Sequence, residues 1–149
     1  MSREMVLTEA DLNAVIDEYH AATAEFITGD PKRYKRLFSN GPDVTLGNPF
    51  GPFGQGREQI DSIMERASAL YRDGEITSFE TVSKLVTSNL AYIVQVERFT
   101  VKIAGSDQPT PVALRTTSVF RPEDGAWRIV HRHADPITSA RPPESVIQK

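Results

Sequence analysis

Near the C-terminal end of the chain, two histidines and an aspartate stand at alternate positions. They lie in the phrase LRTTSVFRPEDGAWRIVHRHADP, which runs from Leu114 to Pro136. Alternate residues of a strand project to one side. Trp127, Ile129, His131, His133 and Asp135 are therefore expected to share a face, with Arg128, Val130 and Arg132 on the other. An apolar start followed by His, His and Asp describes a strand passing from packed core into a wetter pocket. Imidazole titrates near neutrality, so His131 or His133 could serve as general acid or base, with Asp135 orienting it. The same pair could instead hydrogen-bond neighbouring strands, or place two imidazoles toward a metal. A stable metal site usually wants a third or fourth ligand, and the sequence places none, so neither metal nor cofactor is expected. His20, the third histidine, lies off the apolar stripe of its helix and is expected to be exposed.

Other residues could shape a ligand site. Gln95, Thr116 and Ser118 are polar side chains on strands, and pointing inward they would fix the orientation of a small molecule. Tyr19, Phe26, Phe50, Phe53, Met64 and Trp127 would make its apolar wall. Each is equally an ordinary core residue. Arg57, after Gly56 at a helix start, could meet an anion or point to solvent.

Composition narrows the classes. A chain of 149 residues suits one domain, long enough to bury a core without cross-links. It has no cysteine, which excludes a disulfide scaffold and a thiolate nucleophile. The net charge is −3, with both signs scattered. No basic run marks a nucleic-acid surface, so no nucleic-acid partner is expected. The opening MSREMVLTEADLN has neither a long apolar segment nor a signal-peptide pattern, so no membrane association and a cytoplasmic home are expected.

The elements that must position these residues follow from periodicity. Residues 1–7 are expected as an arm. Thr8 and Asp11 form an imperfect capping box, and Leu12, Val15, Ile16, Tyr19, Thr23 and Phe26 recur at helical spacing. This predicts a helix from about Glu9 to Thr28, stopped at Gly29. Asp30-Pro31 starts a short second helix carrying Tyr34, Leu37 and Phe38. Val44–Leu46 is a short strand, and Gly47–Gly56 a shaped, glycine-rich loop. A third helix is predicted over Arg57–Arg72. The period then becomes two. Strands are predicted over Ile76–Val86, Leu90–Ile103, Val112–Phe120 and Ala126–Ala134, with Ala91, Ile93, Gln95, Glu97, Phe99 and Val101 on one side of the second. Residues 8–135 form the domain, and 136–149 a tail.

Two phrases, LFSNGPDVTLGNPFGPFGQGREQI from Leu37 to Ile60 and LRTTSVFRPEDGAWRIVHRHAD from Leu114 to Asp135, resemble the SnoaL-like domains of the nuclear transport factor two-like superfamily. The resemblance implies an α+β, cone-shaped fold: three N-terminal helices packed on a strongly curved, mostly antiparallel sheet that encloses a pocket. It also implies a homodimer through the sheet face. Within that superfamily, the catalytic aspartate of ketosteroid isomerase corresponds to Asn48, which cannot act as a carboxylate base. Its two donors correspond to about Ala22 and Thr116. All three differ, so that isomerase machinery is not expected. The Asp-Arg-Asp network of limonene epoxide hydrolase finds no match around Arg98 or Arg115. The implied function is binding of a small, largely apolar molecule in the cone, with Asn48 among the lining residues. A strand histidine could add proton transfer or water addition and elimination, of isomerase, hydrolase or dehydratase type. The alternative is a non-catalytic binding or assembly domain.

Overall fold

The computed structural model describes residues 6–149. The arm expected at the N-terminus therefore falls largely on residues 1–5, outside the described residues. Leu7 is already part of the core, 8% exposed. Helix α1 spans Glu9–Phe26. Thr8 caps it: its hydroxyl accepts from Asp11 N–H, while the Asp11 carboxylate accepts from Thr8 N–H, so aspartate completes the box despite its short reach. Leu12, Ile16, Tyr19, Ala22 and Thr23 form its buried stripe. Gly29, at φ 104°, supplies the left-handed residue that turns the chain. Helix α2 is a single turn, Lys32–Lys35, whose first amide is held by Asp30 Oδ1 at 3.1 Å.

Two short strands follow, β1 (Thr45–Gly47) and β2 (Gly54–Gln55), and then helix α3 (Arg57–Ser68). The third helix was expected to reach Arg72. It stops earlier because Tyr71 already belongs to a strand and pairs with Ile103. Four long strands complete the sheet: β3 (Tyr71–Val86), β4 (Ala91–Ile103), β5 (Thr110–Glu123) and β6 (Ala126–Asp135). A 3-10 turn, Pro143–Val146, lies in an exposed tail. No helix among the described residues is long and apolar enough to cross a membrane.

The strand order is β2-β1-β6-β5-β4-β3. Every pairing is antiparallel except that of β1 with β6. The β5–β6 hairpin turns on Asp124-Gly125, both at positive φ (53° and 77°), a pair suited to the twist of a tight hairpin. The cone with a strongly curved sheet is not what the chain builds. The sheet is open: β2 and β3 stand at opposite edges and do not pair with each other. Nor do three helices precede it, since β1 and β2 come between α2 and α3. The α+β class itself holds, with helices packed on one face of a sheet.

One irregularity decides which residues face the helices. Val119 pairs with His131, yet the next residue, Phe120, pairs with Ile129. Val130 is thus one extra residue on β6, and a β-bulge of this kind shifts the side-chain alternation by one. Before the bulge, Trp127 and Ile129 point into the core; after it, Arg132 and Ala134 do. His131, His133 and Asp135 lie on the other side. The expectation that they share a face with Trp127 and Ile129 fails for this reason.

The core extends along the helix-covered face in two clusters. The larger joins α1 and α3 to Ile93, Phe120, Trp127 and Ile129, and the smaller gathers Ile27, Tyr71, Phe99, Val101 and Leu114. The face of β4 predicted from its alternation is buried throughout, from Ala91 to Val101.

Candidate functional site

That buried face carries an acid. Glu97 lies mid-strand on β4 among apolar neighbours, 1% exposed, and a carboxylate removed from water needs partners. The bulge in β6 supplies one by turning Arg132 inward. Arg132 Nη2 donates to Glu97 Oε1 at 2.9 Å, and Nε donates to the Tyr19 hydroxyl at 2.7 Å. Tyr19, from the centre of the α1 stripe, in turn donates to Glu97 Oε2 at 2.6 Å. The Tyr34 ring of α2 lies 5.7 Å from the guanidinium, and that of Tyr19 lies 5.8 Å from it. Helix, strand and strand thus meet in a closed cycle of hydrogen bonds, with both charges buried and matched.

This cluster forms the polar end of a cavity of about 40 Å³. Its wall is mainly apolar: Phe26, Ile27, Leu46, Met64, Phe99 and Leu114, with Tyr34 and Tyr71, and Thr23 and Asn48 add polar side chains. A volume of this size admits a few waters or a very small organic group. The loop after β1 closes it. Asn48 Oδ1 accepts from Phe50 N–H at 2.9 Å, and the Phe50 ring lies 5.7 Å from that of Tyr71. Outside the loop, a groove of about 940 Å³ runs along α3, between Phe53 and Arg66. Asn48, Phe50 and Ala67 border both spaces, so Phe50, itself 47% exposed, stands as a partition.

Burial dominates the titration of this region. It raises the Tyr19 phenol well above its ordinary range, opposed by the Arg132 charge and reinforced by Glu97. It raises Tyr34 as well, and it pushes Tyr71 up to about 12. The phenols therefore keep their protons at neutral pH and act as donors.

The residues singled out in the sequence divide into groups. Phe26, Asn48, Phe50 and Met64 border the cavity. Tyr19 stands behind it as the bridge between Glu97 and Arg132. Gln95, Thr116, Ser118 and Trp127 do not line it. Gln95 bonds His20 at 3.1 Å and Thr81 at 3.2 Å. Thr116 donates to Gln95 O at 3.3 Å, and Trp127 Nε1 donates to Thr8 O at 3.2 Å. Ser118 Oγ is buried with no partner among the described residues. His20 is half-buried, not exposed: its ring stacks on Phe79 with centroids 3.7 Å apart. Arg57 meets an anion within its own helix, the Asp61 carboxylate at 2.9 Å, and also caps the carbonyls of Lys35 and Phe38.

The histidine group makes a separate cluster on the opposite face of the sheet. His131 Nδ1 lies 2.7 Å from Thr45 Oγ1, and His133 Nε2 lies 3.5 Å from Asp135 Oδ2. Asp135 also accepts from Arg115 Nε at 2.7 Å. Phe53, seated over Gly47, packs beside both imidazoles, with centroids 6.0 and 5.7 Å away. Neither imidazole borders the cavity. Among the described residues, no three His, Asp or Glu side chains converge as metal ligands.

A family model, the SnoaL-like domain, matches residues 12–138. The chain belongs to this SnoaL-like family. Solved structures agree on the fold. A nuclear transport factor 2 (NTF2-like) superfamily protein from Salmonella enterica superposes with a TM-score of 0.73 at 20% identity, over 91% of this chain and 94% of that one. A ketosteroid isomerase-like protein from Erwinia carotovora gives 0.68 at 16% identity, over 89% and 100%. A protein of unknown function with a cystatin-like fold from Nostoc punctiforme gives 0.69 at 16% identity, over 91% and 97%. No curated protein matches the chain.

Sequence reasoning missed the polar core of this SnoaL-like domain. The alternation of β4 puts Glu97 on one side with Ala91, Ile93, Phe99 and Val101, and an acid in that company calls for a cation. Arg132 was assigned to the wrong side, because a bulge leaves no mark in a pattern of alternating residues.

Two outcomes test the geometry. Glu97→Ala leaves a guanidinium buried without its counter-charge and is expected to cost about 3–5 kcal/mol in urea unfolding. Replacing both charges, by Glu97→Leu with Arg132→Met, should recover most of that loss. The second outcome concerns His131, whose pKa is held below the usual 6.5 by burial first and the neighbouring His133 second. The folded state therefore binds fewer protons than the unfolded state in that window, and stability rises with pH through it. Thermal midpoints should fall as the pH drops below about 6.5, and His131→Gln should flatten that slope.

Proposed function

We propose that this SnoaL-like domain binds a small, mainly apolar molecule in the cavity between α1, α3 and the sheet. The observation that carries the reading is the cavity itself. It has an apolar wall closing on one polar cluster, the usual plan of a small-molecule site. A ligand held there meets Arg132, Glu97 and the tyrosines, not His131 or His133, so the reading is one of binding. The cavity is far smaller than the roughly 300–1,000 Å³ of typical ligand sites. A molecule of more than a few atoms enters by displacing Phe50 toward the outer groove.

Titration of ¹⁵N-labelled protein with methylenecyclopentane tests this. Amide shifts are expected at Met64, Phe99 and Leu114, and Phe50→Ala should speed exchange of the hydrocarbon. Shifts confined to Glu58, Ser62 and Arg66 would place binding in the outer groove and end the proposal.

A second reading has its own support. The other face of the sheet carries a half-exposed row that crosses five strands: Thr45, His131, Val119, Tyr92 and Leu85 are successive cross-strand partners. Val94, on the adjacent row, pairs with Thr117 and Ser83. We infer that two copies pair through this face. Light scattering should give twice the chain mass for the wild type and the single mass for Val94→Arg. A monomeric wild type refutes the pairing.

A further inference from the structure

We propose that the buried end of the cavity takes an uncharged ligand by a carbonyl-type oxygen, held by N–H groups of Arg132 that the protein leaves unused. This rests on the cavity being the ligand site and adds the chemistry that the ligand must carry.

The argument begins with the donors. A guanidinium has five N–H groups and no acceptor. Arg132 spends one on the Tyr19 hydroxyl through Nε and one on Glu97 through Nη2. Among the described residues, Nη1 has no protein acceptor, yet the side chain is only 8% exposed and lines the cavity. Donors on a side chain this buried are satisfied from the cavity, by water or by a ligand's acceptor. Tyr71 lines the same space and keeps its phenolic proton at neutral pH, so it adds a neutral donor.

The acceptors around the cavity are already engaged. Both Glu97 oxygens take hydrogen bonds, one from Tyr19 and one from Arg132. Asn48 Oδ1 is held by Phe50 N–H, and Thr23 Oγ1 is turned back onto Tyr19 O. A ligand that brings only donors leaves the Nη1 donors without a partner. One that brings an acceptor completes the set.

Charge then separates a neutral acceptor from an anion. Among the described residues the cation that lines the cavity is Arg132, and it is matched by Glu97 at 2.9 Å. A carboxylate or phosphate ligand would be a second anion beside Glu97, where burial magnifies the repulsion. An uncharged ketone, ester or amide oxygen takes the hydrogen bond without that cost. The rest of the molecule meets Phe26, Met64, Phe99 and Leu114, so it is apolar.

Three small probes of nearly common shape test the inference on the wild-type protein: cyclopentanone, methylenecyclopentane and cyclopentanecarboxylate, titrated by ¹⁵N NMR. Cyclopentanone is expected to bind at least about tenfold tighter than either of the others, the advantage a hydrogen bond from a charged donor can give. Its ¹³C carbonyl resonance should move downfield on binding. In the variant carrying both Glu97→Leu and Arg132→Met, the preference for the ketone over the hydrocarbon should vanish. Equal binding of ketone and hydrocarbon, with Met64, Phe99 and Leu114 perturbed, overturns this inference and leaves the cavity as the binding site. Tightest binding of the carboxylate overturns it by showing an uncompensated positive site. If no probe perturbs the cavity amides, both readings fall together.

Discussion

A buried charge pair is the constraint on which the arrangement turns. Glu97 and Arg132 come from strands separated by β5, and they meet only because both side chains reach the same dry space beneath α1. Such a pair contributes little net stability over a well-packed apolar replacement, since desolvating the two ions offsets most of their attraction. Its importance is in what it forbids. Any register that turns one partner outward leaves the other charge alone in the core. Tyr19 extends the condition to the helix: α1 must present the centre of its apolar stripe directly over the pair, or the phenol loses both of its partners. Strand register and helix placement are therefore coupled through three polar side chains in an otherwise apolar interior.

The bulge at Val130 is what makes this possible. In a regular strand, β6 would direct His131 and His133 at the helices and Arg132 away from them. One inserted residue exchanges the two sets. The core gains a cation that it can match, and the imidazoles move to the side where Thr45, Phe53 and Asp135 receive them. The same local event thus builds the polar end of the cavity and furnishes the opposite face with titratable groups. Chemistry that seemed to belong to one site is distributed over two surfaces of one sheet.

Much of the architecture was readable from residues whose local rules are strong. Thr8 with Asp11, Gly29 after a periodic stripe, and the alternation of β4 each state a local preference that the fold satisfies. The extent of α3 was not readable. Tyr71 continues the helical stripe as well as it begins a strand, and its pairing with Ile103 decides the matter. The openness of the sheet was not readable either, because whether edge strands meet is not written in any single strand. Of the site, the aromatic wall was partly legible in Phe26, Phe50 and Met64. The polar end was hidden by the one-residue shift in β6, although Glu97 on an apolar face already asked for a counter-charge.

The bonded cluster also bears on the order in which the molecule can be assembled. Its members sit at positions 19, 97 and 132. A chain emerging from the ribosome N-terminus first can form α1 and the β3–β4 hairpin well before β6 exists. Until Arg132 arrives, packing α1 onto β4 would bury the Glu97 carboxylate with only a phenol for company. Early docking is therefore disfavoured, and the helix stays loosely held while β5 and β6 are still being made. Parallel pairing of β1 with β6 imposes the same delay on the short strands. Closure of the core becomes a late event that awaits the C-terminal hairpin, so the chain cannot settle on a partial structure that lacks its last strand.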